Sequence, residues 1–166
     1  MSLNYASITP PAITSWNSLV SANTTATAAA CSGPVTTSTG VNVTDTQVKV
    51  RIATSAFTPV AASGVAIYAV GSEDGTNWPG AASGTEVLGA DAAVTLSTLG
   101  NNMRFLGFLQ CHTSGGTFTS EPLSLASAFG GVVPRKWAIV IVNQLPAGVS
   151  LAASGHALTA TEVSFS

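Results

Sequence analysis

Charged side chains are scarce in this sequence. Its 166 residues include five Lys and Arg and seven Asp and Glu, so charged residues make up 7 % of the chain, against roughly a quarter in ordinary soluble domains. Five scattered cations form no basic patch, which argues against a surface that neutralises nucleic-acid phosphates. The hydrophobic fraction of 46 % argues against intrinsic disorder, because disorder requires low hydrophobicity and high charge.

Long apolar runs and a secretion signal are also missing. The longest strongly apolar run is Trp137 to Val142, whereas a transmembrane helix needs about 20 such residues, so we expect no membrane contact. The N-terminus has neither the basic nor the apolar region of a signal peptide, which indicates synthesis in a reducing cytosol. Disulfides are rare there, so the interpretation we favour for Cys31 and Cys111 is two buried thiols, with pairing left open.

Residues that carry catalysis or bind metals are few and poorly grouped. Cys111 and His112 are adjacent on a predicted strand and therefore point to opposite faces, and His156 follows a turn. Glu73 and Asp74 lack the spaced acidic run of a calcium-binding loop. The sequence has no Gly-x-Ser-x-Gly elbow, phosphate-binding loop or dinucleotide-binding fingerprint. We therefore predict a protein that is not an enzyme, with no catalytic residues, no metal and no cofactor.

What the sequence does contain is the two-residue alternation of apolar and polar side chains that predicts β-strands. Over residues 46–54, the apolar Val48, Val50 and Ile52 alternate with polar neighbours. Segments 65–70 and 136–143 are apolar on both faces. Such segments are either central strands of a sheet or strands with one face covered by another chain.

Turn residues separate the remaining predicted elements. These elements are one or two weak strands in 21–45, strands over 86–96 (bulged at Gly89), 103–111 and 117–125, a helical turn over 123–129, and a closing hairpin of 149–152 with 157–165. In the 103–111 strand, strict alternation places five side chains on one face, namely Met103, Phe105, Gly107, Leu109 and Cys111. Roughly eight short strands predict an all-β fold, a single antiparallel β-sandwich or jelly roll.

Residues 1–20 are predicted to form an extended N-terminal arm, with residues 21–166 as the β-sandwich domain. The pair Pro10-Pro11 disfavours both helix and sheet, while apolar side chains on either side indicate a segment that packs on something. We expect this arm to dock on neighbouring subunits. The candidate docking residues are Ile8, Pro10, Pro11, Ile13, Trp16 and Leu19.

The segment 71–80 is the second candidate site. Asp74-Gly75 predicts a tight turn, because Gly readily adopts a positive φ. Asp74, Asn77 and Trp78 form a candidate ligand loop in which the indole of Trp78 would stack on a sugar ring. The alternatives are a turn held by Asp74 and a Trp78 side chain that caps one end of the sandwich.

Two stretches of sequence resemble known proteins. Residues 71–78 (GSEDGTNW) are similar to the S-x-D-G-T-N-W hairpin of many β-sandwich domains, including discoidin-like domains and phage virion proteins. The order SLASAFGG, then VPRKWAIVIVNQ, then a small-residue turn and a last strand resembles structural proteins of tailed bacteriophages. The resemblance implies a non-enzymatic virion component, either a capsid decoration (cement) protein or a tail, baseplate or fibre-adaptor subunit.

The composition favours a protein fixed in an assembly. A surface with few charges has weak self-repulsion and few lysines that protect sheet edges, which is tolerable in a permanent assembly. We expect a homo-oligomer in the virion, assembled in the host cytoplasm, with other virion proteins and above all the major capsid protein as partners. A carbohydrate-binding β-sandwich module that uses Trp78 is the alternative from another class.

Overall fold

The computed structural model describes residues 2–17, 19–20, 29–39, 42–78, 91–94 and 103–166. It is nearly all β, with 51 % strand and 3 % helix, which confirms the predicted fold class. The strands are β1 (Leu3–Ile8), β2 (Ala29–Cys31), β3 (Val35–Thr36), β4 (Asn42–Thr54), β5 (Gly64–Ser72), β6 (Ala92–Val94), β7 (Arg104–Gln110), β8 (Gly116–Thr119), β9 (Leu123–Ser124), β10 (Lys136–Asn143) and β11 (Ala157–Phe165), and one helix, α1 (Leu125–Ala128), follows β9.

The strands form two antiparallel sheets. The first sheet has the order β1-β11-β4-β8, with β9 also paired to β4. The second sheet has the order β6-β2-β10-β5-β7, with β3 also paired to β10. The structure describes more strands than the roughly eight predicted, because β1 lies inside the predicted arm and the predicted strand over 117–125 is divided into β8 and β9. The jelly-roll connectivity stays a prediction.

The main core lies between the two sheets. The alternation predicted for 46–54 is confirmed, since Val48, Val50 and Ile52 of β4 are fully buried in it. From the second sheet, Ile139 and Ile141 of β10 enter the same cluster, as does Trp137. Burying one large aliphatic side chain stabilises a fold by about 1.5–3 kcal/mol, so this cluster holds the two sheets together.

A second apolar cluster covers the outer face of the second sheet. Its buried members are Ala29, Cys31, Ala66, Val70, Val94, Ala138, Val140 and Val142. The strands β5 and β10 are neighbours inside this sheet and contribute side chains to both clusters. Their apolar character on both faces therefore follows from their central position in this chain. Cys31 lies in the outer cluster and Cys111 in the main core, and no disulfide joins them.

The predicted strand over 103–111 exists as β7, but its strict alternation is wrong. The pairing of β5 with β7 shifts register between Ile67 and Tyr68, which leaves Leu106 as an extra residue opposite no partner. Such a bulge reverses the face of the residues that follow it. Phe105 therefore pairs with Tyr68 of the outer face and is 59 % exposed, whereas Leu109 points into the main core.

The predicted closing hairpin is also wrong. Residues 149–152 form no strand, and Ser150 and Leu151 make isolated bridges to Val20 and Thr54 instead. The last strand, β11, pairs with β4 on one side and with β1 on the other. Residues 149–152 could form only a few backbone hydrogen bonds with β11. The longer strand β4 forms more of them and occupies that edge of β11 instead.

Two smaller predictions concern short elements. The helical turn predicted over 123–129 is confirmed as α1, which begins after the N-cap Ser124, whose hydroxyl accepts a hydrogen bond from the backbone N–H of Ser127. The weak strands predicted around residues 32–34 are β2 and β3. Most of the predicted strand 86–96, including Gly89, lies outside the described residues, and β6 is its described part.

Candidate functional site

The N-terminal segment begins as an edge strand of the first sheet. All six residues of β1 pair with β11, from Leu3 opposite Phe165 to Ile8 opposite Ala160. Ile8 is half-buried at the margin of the main core, and the five residues before it are exposed. This part of the predicted arm is therefore a strand of its own chain's sandwich.

Residues 9–20 then cross the sandwich, and the predicted docking residues divide into buried and exposed ones. Trp16 is fully buried in the main core, and Ile13 and Leu19 pack against the core with partial exposure. Pro10 is half-buried and Pro11 is exposed. The ring of Pro11 lies against the backbone at Gly33, where an added Cβ would come within 3.0 Å of Pro11 Cγ.

Asp91 anchors this crossing segment. Its Oδ2 accepts hydrogen bonds from the backbone N–H and the hydroxyl of Thr14, the latter at 2.6 Å, and its Oδ1 accepts from the N–H of Ser15 at 3.0 Å. Burial raises the pKa of Asp91, but the hydrogen bonds from Ser15 and Thr14 outweigh burial and lower it. The carboxylate therefore remains ionised at neutral pH and holds the turn that inserts Trp16 into the core.

The far end of the crossing segment is also fixed to its own chain. The carbonyl of Leu19 accepts hydrogen bonds from the backbone N–H of Leu151 at 3.0 Å and from Nδ2 of the buried Asn143 at 2.8 Å. Val20 bridges Ser150. The residues before Ile8 in β1 remain exposed, and a docking role on neighbouring subunits stays a proposal.

That exposed surface is apolar and uncharged. Leu3 and Tyr5 of β1 are 52 % and 66 % exposed, and Phe165 of β11 is 41 % exposed. Phe165 is the pairing partner of Leu3, so the three side chains share the outer face of the first sheet. The sequence does not predict this patch, because Leu3 and Tyr5 lie in the predicted arm and join a sheet only through pairing with the distant strand β11.

The loop after β5 is organised by Asp74. Its Oδ1 accepts hydrogen bonds from the backbone N–H groups of Thr76 at 2.8 Å and Asn77 at 2.7 Å and from the Ser72 hydroxyl at 3.1 Å, and its Oδ2 accepts from Asn77 Nδ2 at 2.6 Å. These bonds, that of the Thr76 backbone foremost, hold the pKa of Asp74 far below its usual value. Gly75 supplies the predicted positive φ, at 75°.

A shallow depression of about 360 Å³ lies beside this loop, lined by Gly71, Glu73, Asp74, Asn77 and Trp78. The loop thus brings together the three predicted ligand residues Asp74, Asn77 and Trp78. The Asp74 carboxylate and the Asn77 amide are already engaged with each other, which leaves few polar groups for a ligand. Trp78 is partly buried and packs on the outer cluster, so its indole contributes to the fold as well as to the depression.

Two of the residues weighed for chemistry, His156 and Cys111, have surroundings that give them structural roles. Nδ1 of His156 accepts a hydrogen bond from the N–H of Ala53 at 3.2 Å, so Nε2 carries the proton and donates to the carbonyl of Ala152 at 3.0 Å. Burial, opposed by the Ala152 carbonyl and assisted by Arg51, lowers the pKa of His156. Burial raises the pKa of the Cys111 thiol to about 11, which makes it a poor nucleophile at neutral pH.

No group of three or more His, Cys, Asp or Glu side chains in the described part of the chain is placed to hold a metal ion. Among the residues that the structure describes, no helix has the length and apolar character needed to cross a membrane. Comparison of the chain with protein-family models, with curated proteins and with solved structures finds no match. The exposed face of β1, the Asp74 loop and the resemblance in the sequence are therefore the observations that bear on function.

Proposed function

We propose that this chain is a non-enzymatic structural subunit of a bacteriophage virion, and that it decorates the capsid and stabilises the shell through contacts between subunits. The observation that carries the proposal is the surface of the N-terminal segment. The first charged side chain of the sequence is Asp45, and the edge strand β1 exposes its apolar residues Leu3 and Tyr5. An uncharged sheet edge suits permanent contact, because burying it desolvates no ionised group.

The anchoring of the segment supports a rigid docking surface. Trp16 and the hydrogen bonds from Thr14 and Ser15 to Asp91 fix residues 9–17 on the sandwich. A surface that is already ordered loses little conformational entropy when it binds. In a shell, the sandwich would lie across the junction of neighbouring subunits and resist internal pressure by burying apolar area. The partners are other virion proteins, first among them the major capsid protein.

The test is the location and copy number of the chain in virions. We expect antibodies against the chain to label the shell of purified particles on all sides, and quantitative mass spectrometry to find a copy number that matches a capsid lattice. Label confined to the tail would replace the proposal with a tail, baseplate or fibre-adaptor subunit. Absence of the chain from purified particles would overturn both.

A carbohydrate-binding module is the second candidate, and the observation that favours it is the depression beside Trp78. Binding to a glycan array by the intact protein, lost in Trp78→Ala and kept in Trp78→Phe, would support it. Because Trp78 also packs on the outer cluster, thermal unfolding must show that Trp78→Ala is folded. No glycan retained by the intact protein would remove this candidate.

A further inference from the structure

We propose that β1 pairs with the β1 strand of a second copy of this chain. The two strands would be antiparallel and related by a two-fold axis that passes between their Tyr5 residues, so that the first sheet continues from one copy into the next. Within the proposed function, this inference names a second copy of the chain, and not the major capsid protein, as the subunit that meets the β1 edge. The pairing is a property of the isolated chain and is tested without virions. It follows from three features of β1: the direction of its backbone groups, its side chains and its lack of charge.

The hydrogen-bond pattern shows which backbone groups of β1 face outward. Ser2 and Ser166 exchange both backbone hydrogen bonds, at 3.1 and 3.2 Å, and Leu3 follows opposite Phe165. In an antiparallel pair, residues alternate between those bonded to the partner strand and those whose N–H and C=O point away from it. Asn4 and Ala6 therefore bond to β11. The N–H and C=O groups of the alternate residues, Leu3, Tyr5 and Ser7, point away from the sheet.

These outward groups have no bonding partner among the described residues, since β11 is the one described strand that pairs with β1. Their spacing is self-complementary. When Tyr5 lies opposite Tyr5 of the second copy, Leu3 lies opposite Ser7 of that copy and Ser7 opposite its Leu3. Each of these opposed pairs can exchange two N–H···O=C bonds. An edge with this pattern is a ready template for another strand.

The side chains fit the same arrangement. Leu3, Tyr5 and Ser7 share the outer face with Phe165, because residues at two-residue spacing and directly paired residues lie on the same face. On that face the two Tyr5 rings would be neighbours across the axis, an arrangement that favours aromatic pairs. The exposed fractions of Leu3, Tyr5 and Phe165 are 52 %, 66 % and 41 %, so these three side chains offer a small apolar patch that a second copy can bury.

Charge does not oppose the pairing. Sheet edges of monomeric proteins are usually protected by lysine, proline or a bulge. Residues 2–8 contain none of these: they have no charged side chain and no proline, and their pairing with β11 runs without a shift in register. The edge of the second sheet formed by β7 is protected in this way, since β7 begins with Arg104 and carries a bulge. Of these two described edges, the one at β1 is better suited to a second copy.

The size of the contact predicts a weak dimer in dilute solution. Stable interfaces bury about 1,200–2,000 Å² in total, and one short strand edge with a small apolar patch is at or below the lower end of that range. We expect self-association in the micromolar range or weaker. In an array that holds copies side by side, the same contact would be strengthened by the high effective concentration.

Sedimentation velocity over a wide concentration range tests the pairing. We expect the full chain to show a monomer–dimer equilibrium that Tyr5→Lys abolishes, because two lysines would face each other across the axis. Gln144→Lys, which adds the same charge at an exposed position away from β1, is the matched control and should associate as the parent does. Thermal unfolding should show all three proteins folded, since Tyr5 is largely exposed.

Cross-linking tests the register. Opposed hydrogen-bonded residues have Cα atoms about 5.5 Å apart, within the range of a disulfide, so Tyr5→Cys should form a disulfide-linked dimer under mild oxidation. Asn4→Cys should not, because the two Asn4 positions would be diagonal neighbours about 7–8 Å apart. The native Cys31 and Cys111 are buried and should not compete. A chain that stays monomeric at all concentrations, or a dimer that survives Tyr5→Lys, would overturn the inference.

Discussion

At the scale of single residues, Trp16 connects the N-terminal segment to the core. The side chain is fully buried, and its indole N–H has no hydrogen-bond partner among the described residues. The same holds for Trp137 on β10. A buried donor without a partner costs about 1–3 kcal/mol, so the packing of these rings must outweigh that cost.

Two substitutions of Trp16 separate packing from hydrogen bonding. We expect Trp16→Ala to lower the free energy of unfolding by about 3–5 kcal/mol, as large-to-small core changes do. Trp16→Phe keeps most of the apolar volume and removes the unpartnered N–H, so we expect a loss of about 1–2 kcal/mol. Urea unfolding measures both. Equal losses for the two variants would contradict the packing role of Trp16, because both remove the indole N–H and only Phe keeps most of the apolar volume.

His156 makes stability depend on pH. Its folded-state pKa is lowered from 6.5, so below pH 6.5 the unfolded chain takes up a proton that the folded chain does not. Stability is therefore full above pH 6.5 and falls as the pH drops towards the folded-state pKa. Because the ring is half-exposed, we expect less than about 1 kcal/mol per pH unit.

Urea unfolding between pH 8 and pH 5 measures this dependence. His156→Gln should be less stable at pH 8, since it loses the hydrogen bonds to Ala53 and Ala152, and should show a flatter pH profile. His112→Gln is the control, because His112 is exposed. A profile unchanged by His156→Gln would assign the pH dependence to another group.

At the scale of elements, residues 1–20 act in two parts. Strand β1 adds an edge to the first sheet with little burial, whereas residues 9–20 insert Trp16 and hydrogen-bond to Asp91, Asn143 and Leu151. The first part is a surface and the second is part of the core. From the sequence the two parts are predicted as one arm, because Pro10-Pro11 interrupts regular structure between them and neither part contains a charged side chain.

Two truncations test this division. Deletion of residues 1–8 removes mostly exposed side chains, the half-buried Ile8 and the β1–β11 hydrogen bonds. The conformational entropy regained by the freed strand offsets much of the loss, so we expect a folded protein that is less stable by about 1–2 kcal/mol. Deletion of residues 1–20 also removes Trp16 and should cost about 3–5 kcal/mol more, which is a large part of the stability of a domain of this size. Thermal and urea unfolding compare them. Equal stability of the two truncated chains would contradict a core role for residues 9–20.

Strand β7 shows how one residue changes an element. The alternation of residues 103–111 predicted a single apolar face, yet the bulge at Leu106 turns Phe105 to the outer face beside Tyr68, with ring centroids 5.5 Å apart. A bulge depends on the partner strand as much as on the bulged one. Its position is therefore not readable from the 103–111 segment.

At the scale of the whole molecule, the sandwich has an apolar layer between its sheets and another on the outer face of the second sheet. The two cysteines lie in different layers, Cys31 in the outer one and Cys111 in the inner one. The fold therefore owes nothing to a disulfide, and both thiols are protected from solvent by global structure.

Thiol labelling follows from this arrangement. We expect an aromatic disulfide reagent to modify Cys31 and Cys111 slowly at neutral pH and at once in strong denaturant, because both are buried and the pKa of Cys111 is raised to about 11. A reducing agent should leave the midpoint of thermal unfolding unchanged. Rapid labelling of the native protein would show that one apolar layer opens without global unfolding.

The sequence by itself determined the elements whose signal is local and repeated. The alternation in β4, the continuous apolar run in β10 and the turn at Asp74-Gly75 each depend on neighbours within a few residues, and each stands in the structure as predicted. The scarcity of charge is likewise a property of composition alone. Together these predict an all-β sandwich and a surface suited to assembly.

Only the tertiary structure decided where the N-terminal segment goes and which surface it leaves free. Thr14 and Asp91 are 77 residues apart in the chain, and β1 pairs with the last strand. Such contacts are selected by competition among all edges and cavities of the folded chain, and no local pattern encodes that competition. The outward backbone groups of β1 are not predictable from the sequence for the same reason. The register of β1 with β11 determines which of its residues face outward.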